Sequence, residues 1–450
     1  MLKDELTLMS WSGEVAAPPG LAAMPFQLRA ARWALTRKHS YLALDPGLGK
    51  TICAALIINA LGSSHRFVYF APPFLVLNTA NEFAKWCPGV VVHIWGETPA
   101  PPDASVLIVP DSLLYDPFGA RESLRQIFKR VGPRGVLFVD ESHRYKTDTA
   151  RRTRAVFGPR GFYRYFSKVV CLSGTPMPNR PMELFTIASA LVPEAIDYRN
   201  KHRFGMKYCA GYHDGFGYDY TGASNVEDLG ARLKASFMLR LRTEDVLPEL
   251  PPLLEELVLI GDKLPAEVAA VERAVLSAFS PLDLMKTIAP NGHVSTYRRL
   301  LGSAKVKPAA EYIKGLLNDT DEAVLVFAEH VDCVARLEKE LAKFNPVVIT
   351  GSVPKDERQK RVDQFQRDDT RRVFIGNVKA CGVGFTLTKA TRVVFVEFSW
   401  PPGDNEQAAK RAHRIGTTSR VLIQYLIFKN SIDRVIMEIN LAKRKNQSHI

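Results

Sequence analysis

The chain has no apolar run approaching the ~18 residues of a membrane span. Its N-terminus lacks the basic-then-apolar order of a secretion signal, and Asp4, Glu5 and Glu14 stand there instead. Cysteine is sparse: Cys53, Cys87, Cys171, Cys209, Cys333 and Cys381 are scattered and form no C-x-x-C. That spacing offers neither a disulfide framework nor a zinc site and points to a reducing compartment. Low-complexity tracts and short-period repeats are also missing. With 46 % hydrophobic and 24 % charged residues, the composition is that of an ordinary globular protein, and 450 residues leave room for two to four domains. Positive charge is in excess. A net +13 favours a polyanionic partner, which is a statement about association and not about fold.

Short runs rich in Val, Ile, Phe and Tyr recur between helical stretches: 41–44, 67–71, 106–109, 136–139 and 169–172. Each is too short for a helix, and the alternation predicts βαβ units with a parallel sheet. Residues 181–245 change character, with an aromatic, Gly-rich patch at 208–220, and read as an insertion packed on that sheet. Pro248, Pro251 and Pro252 then suggest a linker, and 265–302 a polar helical stretch. Alternation restarts at 324–328, 347–350, 373–376, 393–397 and 421–428, predicting a second α/β lobe.

The chemistry centres on Leu44-Asp45-Pro46-Gly47-Leu48-Gly49-Lys50-Thr51, set between an apolar run and a helix-forming one. Strand, Gly-rich turn, Gly-Lys-Thr and helix together cradle phosphates: turn and helix amides face the anion, Lys50 reaches its terminal phosphates and Thr51 holds Mg²⁺. The strict pattern calls for a further Gly where Leu44 stands, and Pro46 has no N–H, so the donors run from Gly47 to Thr51. Asp140-Glu141-Ser142-His143 follows a buried run, where α/β sheets bind ligands. Asp140 suits Mg²⁺ and Glu141 suits the attacking water, although acids also favour any helix N-terminus. Ser173-Gly174-Thr175-Pro176 is either a plain turn or a relay sensing the terminal phosphate. Gln407, Arg411 and Arg414 fall at i, i+4 and i+7. A helix capped by Asp404 or Asn405 would project all three from one face, as arginine fingers or as a solvated basic face. Gly382, Gly384 and Thr386 permit close backbone approach to a phosphate. Gln27, in Pro25-Phe26-Gln27, has the amide that reads adenine bidentately.

In this order the elements resemble the superfamily 2 helicase motor, and within it the SWI/SNF-type branch of duplex-DNA translocases, over residues 20 to 440. Ala71-Pro72 with Asn81-Glu82-Phe83-Ala84-Lys85-Trp86, Asp140 to Arg144, Leu172 to Pro176 with Asn179 and Glu183-Leu184, Arg240 to Pro251, and Arg411 to Gly416 carry the likeness. Asp219-Tyr220-x-Gly-Ala-Ser-Asn225 and Phe237-Met238-Leu239-Arg240 most resemble the annealing-helicase, HARP-like subgroup. Thr417 stands where the family usually has Gln.

The resemblance implies an α/β fold of two RecA-like lobes in tandem, with the ATP site in the interlobe cleft. The expected organisation is a lead-in (1–20), lobe 1 (21–247, helical insertion about 181–245), a linker (248–262) and lobe 2 (263–450, helical insertion about 265–302), forming a monomeric motor without accessory modules. It implies ATP and Mg²⁺, with Gln27, Asp45, Gly47, Leu48, Gly49, Lys50, Thr51, Gly382 and Gly384 on the nucleotide and Thr51 and Asp140 on the metal. Lys50, Asp140, Glu141, Gln407, Arg411 and Arg414 would be catalytic, and His143, Ser173 and Thr175 would couple the site. Pro72, Pro73, Ser112, Gly351 and Thr386 would touch a DNA backbone. The activity implied is ATP-driven tracking along duplex or branched DNA. Rivals are a strand-separating DNA or RNA helicase, a fork-remodelling or annealing enzyme, and a low-turnover nucleotide-gated scaffold. The expected location is the cytoplasm or nucleoid of a bacterium or virus.

Overall fold

The computed structural model describes residues 13–96, 104–114, 120–131, 134–197, 200–278, 292–381, 385–399, 402–414, 417, 419–429 and 431–448. The chain divides into two compact units, one reaching Val246 and the other spanning Leu247–Lys445. In the first, the apolar runs form β1 (His39–Leu44), β2 (Arg66–Ala71), β3 (Val92–Ile94), β4 (Val106–Pro110), β5 (Gly135–Val139) and β6 (Lys168–Ser173). The short pair β7 (Tyr212–His213) and β8 (Tyr218–Asp219) makes an antiparallel hairpin, and β9 (Met238–Leu241) follows. The main sheet has seven parallel strands in the order β3-β4-β2-β5-β6-β1-β9.

The second unit holds β10 (Leu253–Gly261), β11 (Ala323–Ala328), β12 (Val347–Ile349), β13 (Val373–Asn377), β14 (Ala390–Phe395) and β15 (Val421–Phe428), all parallel, in the order β10-β15-β14-β11-β13-β12. Its strands show why the runs are continuously apolar. Leu325, Phe327, Val393 and Phe395 enter one core, while Val324, Val326, Val394 and Val396 enter another. A parallel sheet buries both faces, so the period of two vanishes from the sequence.

Three expected boundaries change. The linker at 248–262 contains β10, the edge strand of the second sheet, misread because Glu255 and Glu256 interrupt an exposed run. Charge on an edge strand is how open sheets avoid pairing with other chains. The insertion at 181–245 ends in β9, which lies beside β1 as a true sheet strand. The helical stretch at 265–302 is the helix Ala266–Ala278 and the start of Gly292–Asp319, which continues through Pro308.

The insertion's helices Met182–Leu191, Lys201–Tyr208 and Val226–Ser236 pack Leu184, Phe204, Leu229 and Leu233 into the first unit's core. The loops that bear on the site leave the C-terminal ends of β1, β5 and β6, which are neighbours in the first sheet.

Candidate nucleotide site

The loop after β1 turns on two glycines. Gly47 (φ +93°) and Gly49 (φ +79°) occupy the left-handed region, where a Cβ is strained. Gly49 has a second reason: a side chain there would collide with the Gln27 amide. The helix Lys50–Leu61 starts at once, with no side chain capping its N-terminus. Its first amides therefore lack an internal acceptor and aim the positive end of the helix dipole out of the loop. Leu48 is different from the expectation, since its N–H is taken by the Asp45 carbonyl at 3.2 Å.

Gln27 is 2 % exposed, not a surface residue of its helix Pro25–Leu35. Its Oε1 accepts the Met24 N–H (3.0 Å) and its Nε2 donates to the Leu48 carbonyl (3.1 Å). One amide hydrogen and one lone pair are left over for a base, and the side chain also buttresses the loop.

Asp45 is held from two sides within the chain. Its Oδ1 lies 2.6 Å from Arg240 Nη2, and its Oδ2 accepts from the Thr243 N–H (3.1 Å) and hydroxyl (3.2 Å). Arg240 Nη1 also donates to the Ala43 carbonyl at 3.0 Å. Asp45 thus ties the loop after β1 to Arg240 of β9 and to Thr243 just beyond it, and its carboxylate is engaged within the chain. No spacing in the sequence links positions 45 and 240. The β1–β9 pairing brings them together.

Two carboxyls follow β5. Asp140 is 5 % and Glu141 9 % exposed, and Glu141 sits at φ +45°, a costly conformation for a side-chain-bearing residue. Burial first, and the Glu141 carboxylate second, push the Asp140 carboxyl up to about 7, against the opposing pull of Lys50. Burial and then Asp140 raise the fully buried Tyr69 phenol well above its usual range, with Thr51 beside it. Lys50, Thr51, Asp140, Glu141 and Tyr69 therefore share one electrostatic neighbourhood. Tyr69 was not singled out from the sequence, because it reads as one more apolar strand residue.

Around them the loop after β6 closes in. His143 Nδ1 lies 2.9 Å from Ser173 Oγ and 3.4 Å from Glu141 Oε2. Ser173 Oγ also accepts the Thr175 N–H at 3.2 Å. The three residues expected to couple the site form one chain of contacts ending on Glu141. A Cβ on Gly174 would stand 2.9 Å from the Pro46 ring, so this loop packs directly on the phosphate loop. Glu183, paired with Lys146 at 2.8 Å, accepts the Asn179 N–H at 2.8 Å and holds the rest of it. Buried Asp111 binds Arg144 (3.1 Å) and Arg152 (3.2 Å), joining the loop after β4 to the acidic box.

In the second unit, Gly382 and Gly384 lie outside the described residues, as do Ile415 and Gly416. The helix Pro402–Ala409 ends before Arg411 and begins before Asp404, so the three residues do not share one helical face and neither Asp404 nor Asn405 caps it. Both side chains instead reach back to Ser399, through Asp404 Oδ2 (3.0 Å) and Asn405 Oδ1 (2.7 Å). Gln407 stays on the helix, 8 % exposed. Arg411 and Arg414 nevertheless converge: each donates to the Phe385 carbonyl (3.4 and 3.3 Å), and Arg414 to Thr386 Oγ1 (2.7 Å). His413 is held by the Pro251 carbonyl at 2.6 Å.

The expected DNA contacts lie on loops, except Ser112, which lies in the 3-10 turn Asp111–Leu113. Pro72 (buried) and Pro73 follow β2, exposed Ser112 follows β4, exposed Gly351 follows β12, and exposed Thr386 precedes β14.

Two family models match the chain, an SNF2-related domain over residues 26–262 and a helicase conserved C-terminal domain over 305–416. Among curated relatives, a SWI/SNF-related matrix-associated actin-dependent regulator of chromatin subfamily A-like protein 1 of Xenopus tropicalis is 30 % identical over 96 % of this chain and 45 % of its own length. A mouse protein named DNA annealing helicase and endonuclease ZRANB3 is 32 % identical over 92 % of this chain and 39 % of its own. The chain spans less than half the length of these relatives. A solved Sulfolobus solfataricus SWI2/SNF2 ATPase core, in complex with dsDNA, is similar over 97 % of this chain and 93 % of that one, at 21 % identity and a TM-score of 0.45. With the first model covering more than half of the sequence, the chain belongs to the SNF2-related family.

Proposed function

We propose that the chain is an ATP-driven DNA translocase motor. The observation that carries this is the pair of buried carboxyls after β5, beside Lys50 and Thr51 and short of compensating partners. Glu141 Oε2 is buried with no hydrogen bond among the described residues, its nearest partner being His143 Nδ1 at 3.4 Å. Buried charge of that kind is costly unless something cationic joins it. Thr51 and Asp140 would hold Mg²⁺, a hard cation suited to hydroxyl and carboxylate oxygen. When bound, it would neutralise charge on the phosphates.

In this reading the amides from Gly49 to Thr51 and the Lys50 ammonium bind the phosphates, and Gln27 meets the base. Glu141 orients the attacking water and accepts its proton, with His143 relaying its state to Ser173 and Thr175. Arg411 and Arg414 serve as arginine fingers and Gln407 supports them, by motif position; Gly382 and Gly384 would line the nucleotide. Pro72, Pro73, Ser112, Gly351 and Thr386 contact the DNA backbone, giving tracking independent of sequence. The names of the relatives, annealing helicase among them, support fork or junction DNA as the substrate.

The test is phosphate release with and without duplex DNA. Wild type should be stimulated, and Lys50→Ala should be inert. Unchanged turnover in Lys50→Ala would sink the proposal. DNA affinity should fall with salt at a slope of about −0.9 per neutralised phosphate. A four-way-junction substrate separates fork remodelling from plain translocation, since only the former rearranges its strands.

A further inference from the structure

One feature of the first unit serves neither its core nor the nucleotide site. The hairpin of β7 and β8 pairs Tyr212 with Asp219 and His213 with Tyr218. At its tip Phe216 is fully exposed, with Tyr218 (53 %) and Tyr212 (45 %) exposed behind it. A lone two-stranded hairpin is marginal in water, yet this one is pinned at both ends. Asp214 Oδ1 accepts the N–H groups of Phe216 (2.9 Å) and Gly217 (2.8 Å), and the Gly215 N–H donates to His213 Nδ1 (3.1 Å). At the base, Tyr220 is held by His202 (2.6 Å) and lies parallel to Tyr218, whose ring also meets the rings of His202 and His213. The tip is therefore a preformed display of one aromatic ring.

We propose that this hairpin is a stacking post for an unpaired nucleobase where duplex DNA gives way to single strand, with Phe216 as the stacking face and Tyr218 and Tyr212 as its flank. The proposal rests on the DNA-motor reading. Three features favour a base over a protein surface. The ring is isolated between Gly215 and Gly217, around which a Cβ would meet nothing within 4 Å, so a planar group has open access. Beside Phe216 the tip holds only His213, Asp214 and two glycines, and the rings behind it are the tyrosines Tyr212 and Tyr218, each with a polar hydroxyl. The hairpin's acids are engaged within it: Asp214 accepts the turn's N–H groups, and Asp219 accepts from the Thr221 N–H (2.7 Å) and the Tyr212 hydroxyl (3.3 Å). The chain as a whole carries +13. A rigid exposed ring on a basic protein matches how single-stranded nucleic acid is held without sequence preference.

The experiment measures binding of the full chain, at one fixed salt concentration, to a forked duplex with 2-aminopurine at the first unpaired position and to a blunt duplex of equal length. Phe216→Ala should weaken fork binding about tenfold, within the range a stacked base supplies, and should alter the 2-aminopurine fluorescence of the complex. Blunt-duplex binding and thermal midpoint should stay at wild-type values, because the ring packs against nothing. Phe216→Trp should restore the fork preference. Equal fork affinity of Phe216→Ala and wild type overturns the proposal and leaves the tip to a protein partner. Failure of wild type to bind blunt duplex or to be stimulated by it overturns the motor reading, and this one with it.

Discussion

Each unit buries a carboxylate at the C-terminal side of its parallel sheet, and the two are treated in opposite ways. Glu397, just past β14, is enclosed by partners: Oε1 meets His330 Nδ1 at 2.7 Å, and Oε2 accepts the N–H groups of Glu329 (3.1 Å) and His330 (3.0 Å). Burial alone would raise its carboxyl, but the His330 ring and N–H outweigh that and hold it below the usual range. Asp140 receives one N–H, from Glu141 at 2.8 Å, and is pushed up to about 7 by burial and by Glu141. A satisfied buried acid is a structural member of its fold. A poorly compensated one beside a Gly-rich loop is a candidate for function. The same sheet position thus holds an enclosed acid in one unit and a poorly compensated one in the other.

Substitutions can break that comparison. The largest effect is expected from Glu141→Gln, which removes the proposed base without removing the fold: DNA-stimulated phosphate release should drop by about 10²–10⁴-fold while nucleotide binding persists. Glu397→Ala should destabilise the second unit by about 3 kcal/mol in urea denaturation, because His330 and two backbone N–H groups lose their acceptor. Asp140→Asn should do the reverse and stabilise the ligand-free protein at pH 8; a loss there would mean that Asp140 is also a structural acid.

Arg240→Ala should weaken nucleotide binding about tenfold by freeing Asp45 and the loop, read by titration with a fluorescent nucleotide. The smallest effect is on pH dependence. The Glu397 contact raises His330, so its stabilisation is complete below about 6.5 and is lost as pH rises through the raised value. Asp140, raised from 3.8 to about 7, takes up a proton more readily in the fold, so stability also declines as pH climbs across that interval. Thermal midpoints of the ligand-free protein should fall from pH 5 to pH 8. Asp140→Asn and His330→Phe should each flatten part of the slope.

The apolar runs and their spacing were legible as two parallel-sheet units because a buried parallel strand needs nothing beyond consecutive apolar residues between breakers. That Lys50 and Thr51 follow one buried strand and Asp140 and Glu141 another was legible for a similar reason, since each motif is local. The edge strands β9 and β10 were not, since an edge is defined by its neighbour and tolerates charge. Arg411 and Arg414 show the same limit. Their spacing suggested one helical face, yet the helix stops at Ala409 and their convergence comes from a shared acceptor at Phe385.

By itself, then, the sequence determined the two-sheet class, the Gly-rich loop after β1, the acidic pair after β5 and the excess of positive charge, all properties of neighbouring residues or of sums. Only the tertiary structure decided that Asp45 belongs to Arg240 and Thr243, that Gly174 lies against Pro46, and that Phe216 is left alone in solvent. Those depend on which distant segments the sheet order sets side by side, and no pattern along the chain carries that distance.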